Sequence, residues 1–171
     1  PQNSITTNRL PKGPGVIIRG GGSSGKNQLC LISNFQLNQS AIATGNWLKA
    51  QDLNPKDCYI LNPLPIHHVS GLMPWWRSHC WNAEHFWIKP ELMLNPIKLE
   101  ERCNRLLAKR KGPVVTSLVP TQLTRLIQHS AGIRWLQMFS IIWVGGSSIS
   151  KNLADKARML GLRLAPCYGT T

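Results

Sequence analysis

The sequence is short of acid. Seven Asp and Glu stand against 20 Lys and Arg, a formal charge of +13, and a one-signed excess of that size gathers anions such as nucleotides, nucleic acid or acidic lipid. Sign alone selects none of them. Charge of either sign is also sparse, at 16% of residues against roughly 25% in typical soluble domains, so much of the surface is neutral or apolar, or meets a partner. No apolar run is long enough to cross a bilayer. The five cysteines, Cys30, Cys58, Cys80, Cys103 and Cys167, are odd in number and lack C-x-x-C spacing. That supports neither a disulfide framework nor a zinc knuckle and suits reduced thiols in the cytoplasm. The opening residues show no charged segment followed by an apolar signal core, and the chain starts at Pro1 rather than Met. With a terminal loop at Pro166–Thr171, this pattern leads to the expectation of a piece of a longer protein.

What is present is a single domain's worth of alternating elements. A chain of 171 residues can bury roughly two-thirds of its unfolded surface in one core, so residues 1–171 are expected to form one domain. Short β-branched or apolar runs predict strands at 15–19, 29–32, 58–61, 85–88, 114–119, 141–144 and 162–165. Helices are predicted over 34–50, around Leu72 to Trp81 with its entry near Pro74, from Pro96 until a glycine stop at Gly112, over 120–129, and around Leu153–Leu160. Strands alternating with helices imply an α/β fold with a largely parallel sheet and helices on its faces. Ligands of such folds collect where strands end, which directs attention to loops 20–28, 145–150 and 166–171.

The first of these loops, Gly20 to Lys26, fits G-x-x-x-x-G-K, the skeleton of a nucleotide-triphosphatase phosphate loop. Asn27 cannot serve as its magnesium-binding hydroxyl, and the next segment reads as a strand rather than the helix that should face the phosphate. Between two strands, Gly22-Ser23-Ser24-Gly25-Lys26 instead resembles the phosphate loop of the acyl-adenylate-forming superfamily, which contains acyl-CoA synthetases, luciferases and peptide synthetase adenylation domains. Asn27 and Gln28 replace that family's Pro-Lys. Three further segments resemble the same family in the same order: Leu64-Pro65-Ile66-His67-His68-Val69-Ser70-Gly71, Val144-Gly145-Gly146-Ser147-Ser148-Ile149-Ser150, and the closing Tyr168-Gly169-Thr170-Thr171.

The resemblance implies the central part of the large domain of an adenylate-forming ligase, without its small mobile domain. It implies ATP with Mg2+, a carboxylic acid that is turned into an acyl-adenylate, and coenzyme A as thiol acceptor. Gly22, Ser23, Ser24, Gly25, Lys26 and Thr171 would bind the phosphates, while Gly145, Gly146, Ser147, Tyr168 and Gly169 would hold adenine. His68 would be a catalytic residue bordering the acyl pocket. The stretch from Ser117 to Leu126, and His68–Ser70 with Trp76-Arg77, look most like the members that make the CoA thioester of an aromatic dicarboxylic acid in naphthoquinone (menaquinone or phylloquinone) synthesis. Arg77 would hold the unreactive carboxylate, with Ser117 and Thr121 beside it. Read without the resemblance, Arg77 next to Trp76 is a surface cation stacked on indole. The resemblance places the magnesium-binding glutamate, the ribose-binding aspartate and the catalytic lysine beyond Thr171, so no metal ligand and no turnover are expected of this chain alone. Other readings are a different aromatic acyl-CoA ligase, a phosphate-loop ATPase, and a basic single-strand binder using Trp and His faces; the basic residues are scattered rather than striped, so no nucleic-acid partner is expected. Homo-oligomerisation of the intact enzyme stays open.

Overall fold

The structure, a computed structural model, describes residues 13–19 and 29–167. Strands β1 (Gly15–Arg19) and β2 (Leu29–Ser33) pair antiparallel, with Val16 opposite Ile32. Ser33 ends β2 and starts α1 (Asn34–Lys49): its hydroxyl accepts from the Gln36 N–H at 3.2 Å while Gln36 Oε1 accepts from the Ser33 N–H at 2.9 Å. This reciprocal pair satisfies two orphan donors and fixes where the helix begins.

The remaining strands are β3 (Tyr59–Asn62), β4 (Glu84–Trp87), β5 (Val114–Leu118), β6 (Ile141–Val144) and β7 (Leu164–Pro166). They form one sheet in the order β4-β3-β5-β6-β7, every pair parallel. Between them run α2 (Val69–Trp81), α3 (Pro96–Leu107), α4 (Pro120–Leu126), α5 (Ser130–Gln137) and α6 (Lys151–Met159), with short 3-10 turns at Pro55–Asp57 and Pro90–Leu94.

Side chains alternate across each strand. Ile60, Val115, Ile141 and Trp143 meet Leu48 of α1 and Trp81 of α2 on one face. On the other, Leu61, Leu118, Ile142 and Val144 meet Leu99 of α3, Leu123 of α4, Trp135 of α5 and Ala157 of α6. The buried Thr116 hydroxyl donates to the Leu61 carbonyl at 2.7 Å, tying β5 to β3.

Three differences from the expected elements have a packing cause. Helix α2 starts at Val69 and carries Pro74 inside it. Proline there forfeits one ladder bond, to the Ser70 carbonyl, but Gly71, Leu72, Met73 and Pro74 are all buried, and packing outweighs propensity. Helix α5 was not expected. Ala131, Trp135 and Leu136 bury one face, and Gly132, which hides the helical pattern, is needed because a Cβ would collide with the Leu126 carbonyl oxygen at the α4–α5 corner. Helix α3 ends at Leu107, before the glycine expected to stop it. Gly112 instead makes room for the Asp57 carbonyl oxygen, which a Cβ would meet at 2.5 Å.

Candidate functional site

The chain leaves β3 for β4 on one side and returns through α3 to β5 on the other side. Strand order therefore reverses between β3 and β5, and a crevice opens where their carboxyl ends diverge. A cavity of about 220 Å3 occupies this end of the sheet. Its lining brings together Leu64 after β3, Ser70 and Arg77 on α2, Ser117 on β5, Trp143, Gly145 and Gly146 at the end of β6, and Cys167 after β7.

One buried amide holds the β3 exit. Asn62 is fully buried; its Nδ2 donates to the Gly71 carbonyl at 2.8 Å and its Oδ1 accepts from the Leu64 N–H at 3.1 Å. The same Nδ2 lies 3.2 Å from His85 Nε2. A protonated ring would set an N–H against that amide, so the contact requires a neutral imidazole accepting at Nε2. Burial, with nearby His79 as the lesser cause, pushes His85 down from 6.5 to about 4. A histidine held neutral by the fold binds fewer protons than in the unfolded chain between these values. Its stabilisation is complete above about pH 6.5 and is lost as pH falls towards 4. Urea midpoints measured from pH 7 to pH 4 are expected to fall by an amount equivalent to about 1–2 kcal/mol, screening of a half-buried ring allowed for, and to fall less in His85→Gln.

Arg77 is the main electrostatic feature. Its guanidinium carbon lies 5.3 Å from the centroid of the Trp143 ring, so the stacking partner is a strand residue across the cavity's floor rather than the adjacent Trp76. Its Nε is buried and has no hydrogen-bond partner among the described residues. Burial lowers the guanidinium to about 10, with the Cys167 thiol a smaller opposing influence, and the group stays cationic near neutrality. A buried cation with a vacant donor is costly unless an anion completes it. Trp143 lies directly opposite Ser117 in the β5–β6 register, placing the hydroxyl beside the same indole.

Of the residues singled out by the sequence, Arg77, Ser117, Gly145 and Gly146 converge on this cavity. Gly146 has φ +87°, and a Cβ there would lie 3.3 Å from Val119 Cγ1, so both backbone and space demand glycine. His68 caps the start of α2, exposed and stacked on His67 with ring centroids 4.4 Å apart, and is not in the cavity lining. Thr121 in the first turn of α4 and Ser147 beyond β6 are exposed and outside the lining as well. Gly22, Ser23, Ser24, Gly25, Lys26, Tyr168, Gly169 and Thr171 lie outside the described residues. The sequence reading missed Trp143 and Cys167 as site residues. Trp143 sits in a run of strand core, and only its register with Ser117 marks it.

A second cavity, about 630 Å3, shares Arg77, Trp143 and Cys167 with the first. Trp47 of α1, Gln51 just after that helix, and Arg163 line it as well.

No family model matches the chain. It is 30% identical over 124 residues, 72% of its length, to the 2-succinylbenzoate–CoA ligase of Salmonella typhimurium, and 24% identical over 119 residues to that of Oceanobacillus iheyensis. The chain spans about a quarter of the length of these relatives, 23% in each case. Among solved structures it matches o-succinylbenzoate coenzyme A synthetase (MenE) from Bacillus subtilis in complex with AMP, at TM-score 0.69 and 18% identity, over 91% of this chain and 29% of that one. It also matches E. coli MenE with a bound analogue, at TM-score 0.60 and 27% identity, over 91% and 30%. ATP-bound MatB from Rhodopseudomonas palustris aligns at TM-score 0.65 and 19% identity, over 90% and 28%.

The fold is that of part of an adenylate-forming enzyme, and the chain is similar to members of that superfamily. Within it, the chain is similar in sequence to the 2-succinylbenzoate–CoA ligases, the branch that acts on an aromatic dicarboxylic acid. Its relatives are thus acid–CoA ligases. Among the described residues no helix is long and apolar enough to cross a membrane.

Proposed function

We propose that the chain is the substrate-gathering core of an ATP-dependent acid–CoA ligase whose acyl substrate is an aromatic dicarboxylate, o-succinylbenzoate foremost, in naphthoquinone synthesis in the cytoplasm. The observation that carries this reading is the buried Arg77 Nε, without a partner among the described residues, at the switch-point cavity, with Ser117 and apolar walls around it. A monocarboxylate leaves such a cation empty once its one carboxylate is consumed. A dicarboxylate fills it with the group that does not react.

The chemistry follows from that division of labour. A carboxylate oxygen attacks the α-phosphorus of ATP, pyrophosphate departs, and the thiol of coenzyme A then displaces AMP from the acyl carbon. Two anions must be held together for the first step, so positioning and charge neutralisation supply most of the acceleration. Arg77 anchors the remote carboxylate, and the flat Trp143 ring supports the cation from below. Gly145 and Gly146 leave backbone open to a purine at the end of β6. The loop at 22–26 and Thr171 would take the phosphates, and His68, which lies outside this cavity, would stand at the entrance to α2 rather than in its lining.

The test is ATP–pyrophosphate exchange by the intact enzyme. Exchange is expected with o-succinylbenzoate and to be at least about tenfold weaker with aromatic acids lacking the second carboxylate; a lost charge-assisted bond of 1.5–3 kcal/mol corresponds to that factor or more. Equal exchange with fatty or amino acids rejects the substrate class. The 171-residue chain alone is expected to show none.

A further inference from the structure

Arg77 is not alone between the two cavities: Cys167 lines both of them as well. The thiol residue is exposed and free, yet its backbone is fixed. The Cys167 N–H donates to the Val144 carbonyl at 2.8 Å, and a Cβ built on Gly145 would lie 3.4 Å from Cys167 Cβ. The β6–β7 pairing therefore presents a nucleophile at the shared rim of both cavities, while α2 delivers to the same walls a half-buried guanidinium whose Nε is buried and has no partner among the described residues.

We propose that Cys167 is a covalent modification site for small electrophiles that carry a carboxylate, which Arg77 seats beside the thiol. With an α-halocarboxylate, the thiol loses its proton to solvent, sulfur forms a bond to the α-carbon, and the carbon–halogen bond breaks with halide taking the electron pair. With an α,β-unsaturated carboxylate, sulfur adds to the β-carbon and water supplies the proton to the α-carbon. Neither route needs an oxidant or a reductant. Burial raises the Cys167 thiol and Arg77 only partly opposes it, so reagents that are not held at the rim meet a mostly protonated, slow nucleophile. Retention by the cation should therefore decide which reagents react. No step uses ATP or acyl transfer, so the inference stands apart from the ligase reading.

The experiment compares iodoacetate with its neutral analogue iodoacetamide on the full chain at pH 8, reading each cysteine by peptide mass spectrometry. Cys80 is the internal reference: it is exposed, its thiol is also raised by burial, and it faces Asn38 rather than either cavity. The iodoacetate-to-iodoacetamide rate ratio at Cys167 is expected to exceed that at Cys80 by about tenfold, the lower end of electrostatic concentration in a cleft. Sodium benzoate should slow carboxymethylation of Cys167 and leave Cys80 unchanged. Arg77→Gln should bring the two ratios together, and Arg77→Lys should keep them apart. Equal ratios in the unmodified chain overturn the proposal, as does a Cys167 preference that benzoate leaves untouched. Both readings need no variant, so a misfolded substitution does not shield the idea.

Discussion

Adding one methyl group at Gly71 is expected to destabilise the protein by about 3 kcal/mol or more, the upper end of overpacking costs. Gly71 lies in the first turn of α2, where propensity alone favours alanine over glycine by about 1 kcal/mol. Local physics and packing thus predict opposite signs. A Cβ at this position would stand 2.5 Å from the Leu64 carbonyl oxygen and would also collide with that of Pro65. Both obstacles are main chain and cannot rotate away. The Gly71 carbonyl is moreover bound to the buried Asn62 amide, so α2 cannot retreat without opening a buried hydrogen bond. The measurement is a urea unfolding curve of Gly71→Ala, expected to show a lower midpoint. A midpoint at or above the parent's would show that α2 does not press on the Leu64–Pro65 segment.

The second large effect concerns catalysis. Replacing Arg77 by Gln in the intact enzyme is expected to lower kcat/KM for o-succinylbenzoate by 10²- to 10³-fold, about 3–4 kcal/mol, the range for losing a preorganised donor or a buried charged partner. An aromatic monocarboxylic acid should lose much less, because it never engages the cation. Glutamine keeps a polar donor on the same three-carbon stem but removes the charge together with the guanidinium that lies over Trp143. The circular dichroism spectrum should be unchanged. Equal losses for both acids would mean that Arg77 supports the fold of the site rather than one end of the substrate.

The architecture was legible because its signals are local. Runs such as Cys58–Leu61 and Ile141–Val144 cannot be solvated cheaply, and their alternation with capped amphipathic helices leaves few topologies besides a covered parallel sheet. Helix α5 escaped because Gly132 breaks the pattern, and the reason for that glycine is a carbonyl in another helix. Pro74 misled for the same cause, since its place inside α2 depends on burial. The site divides in the same way. Arg77 and Ser117 were marked by likeness to a family, whereas their meeting over Trp143 depends on strand register. Cys167 lies in a flagged loop, but nothing in the sequence marks the thiol itself, and its position at the cavity rim follows from β7 pairing with β6. The phosphate-loop residues remain an expectation from the motif.

The unbroken parallel pairing of the sheet also sets the order in which the chain can be built. No two of its five strands can join through a tight turn, so β3 finds β5 only after α2, β4 and α3 have emerged from the ribosome. Until then Leu61, fully covered in the finished molecule, lacks the β5 and β6 side chains and the α4 and α5 helices that pack on its face. Such non-local closure is slow and exposes sticky intermediates, so cooler synthesis and ample chaperone capacity should govern how much of this polypeptide reaches its native form.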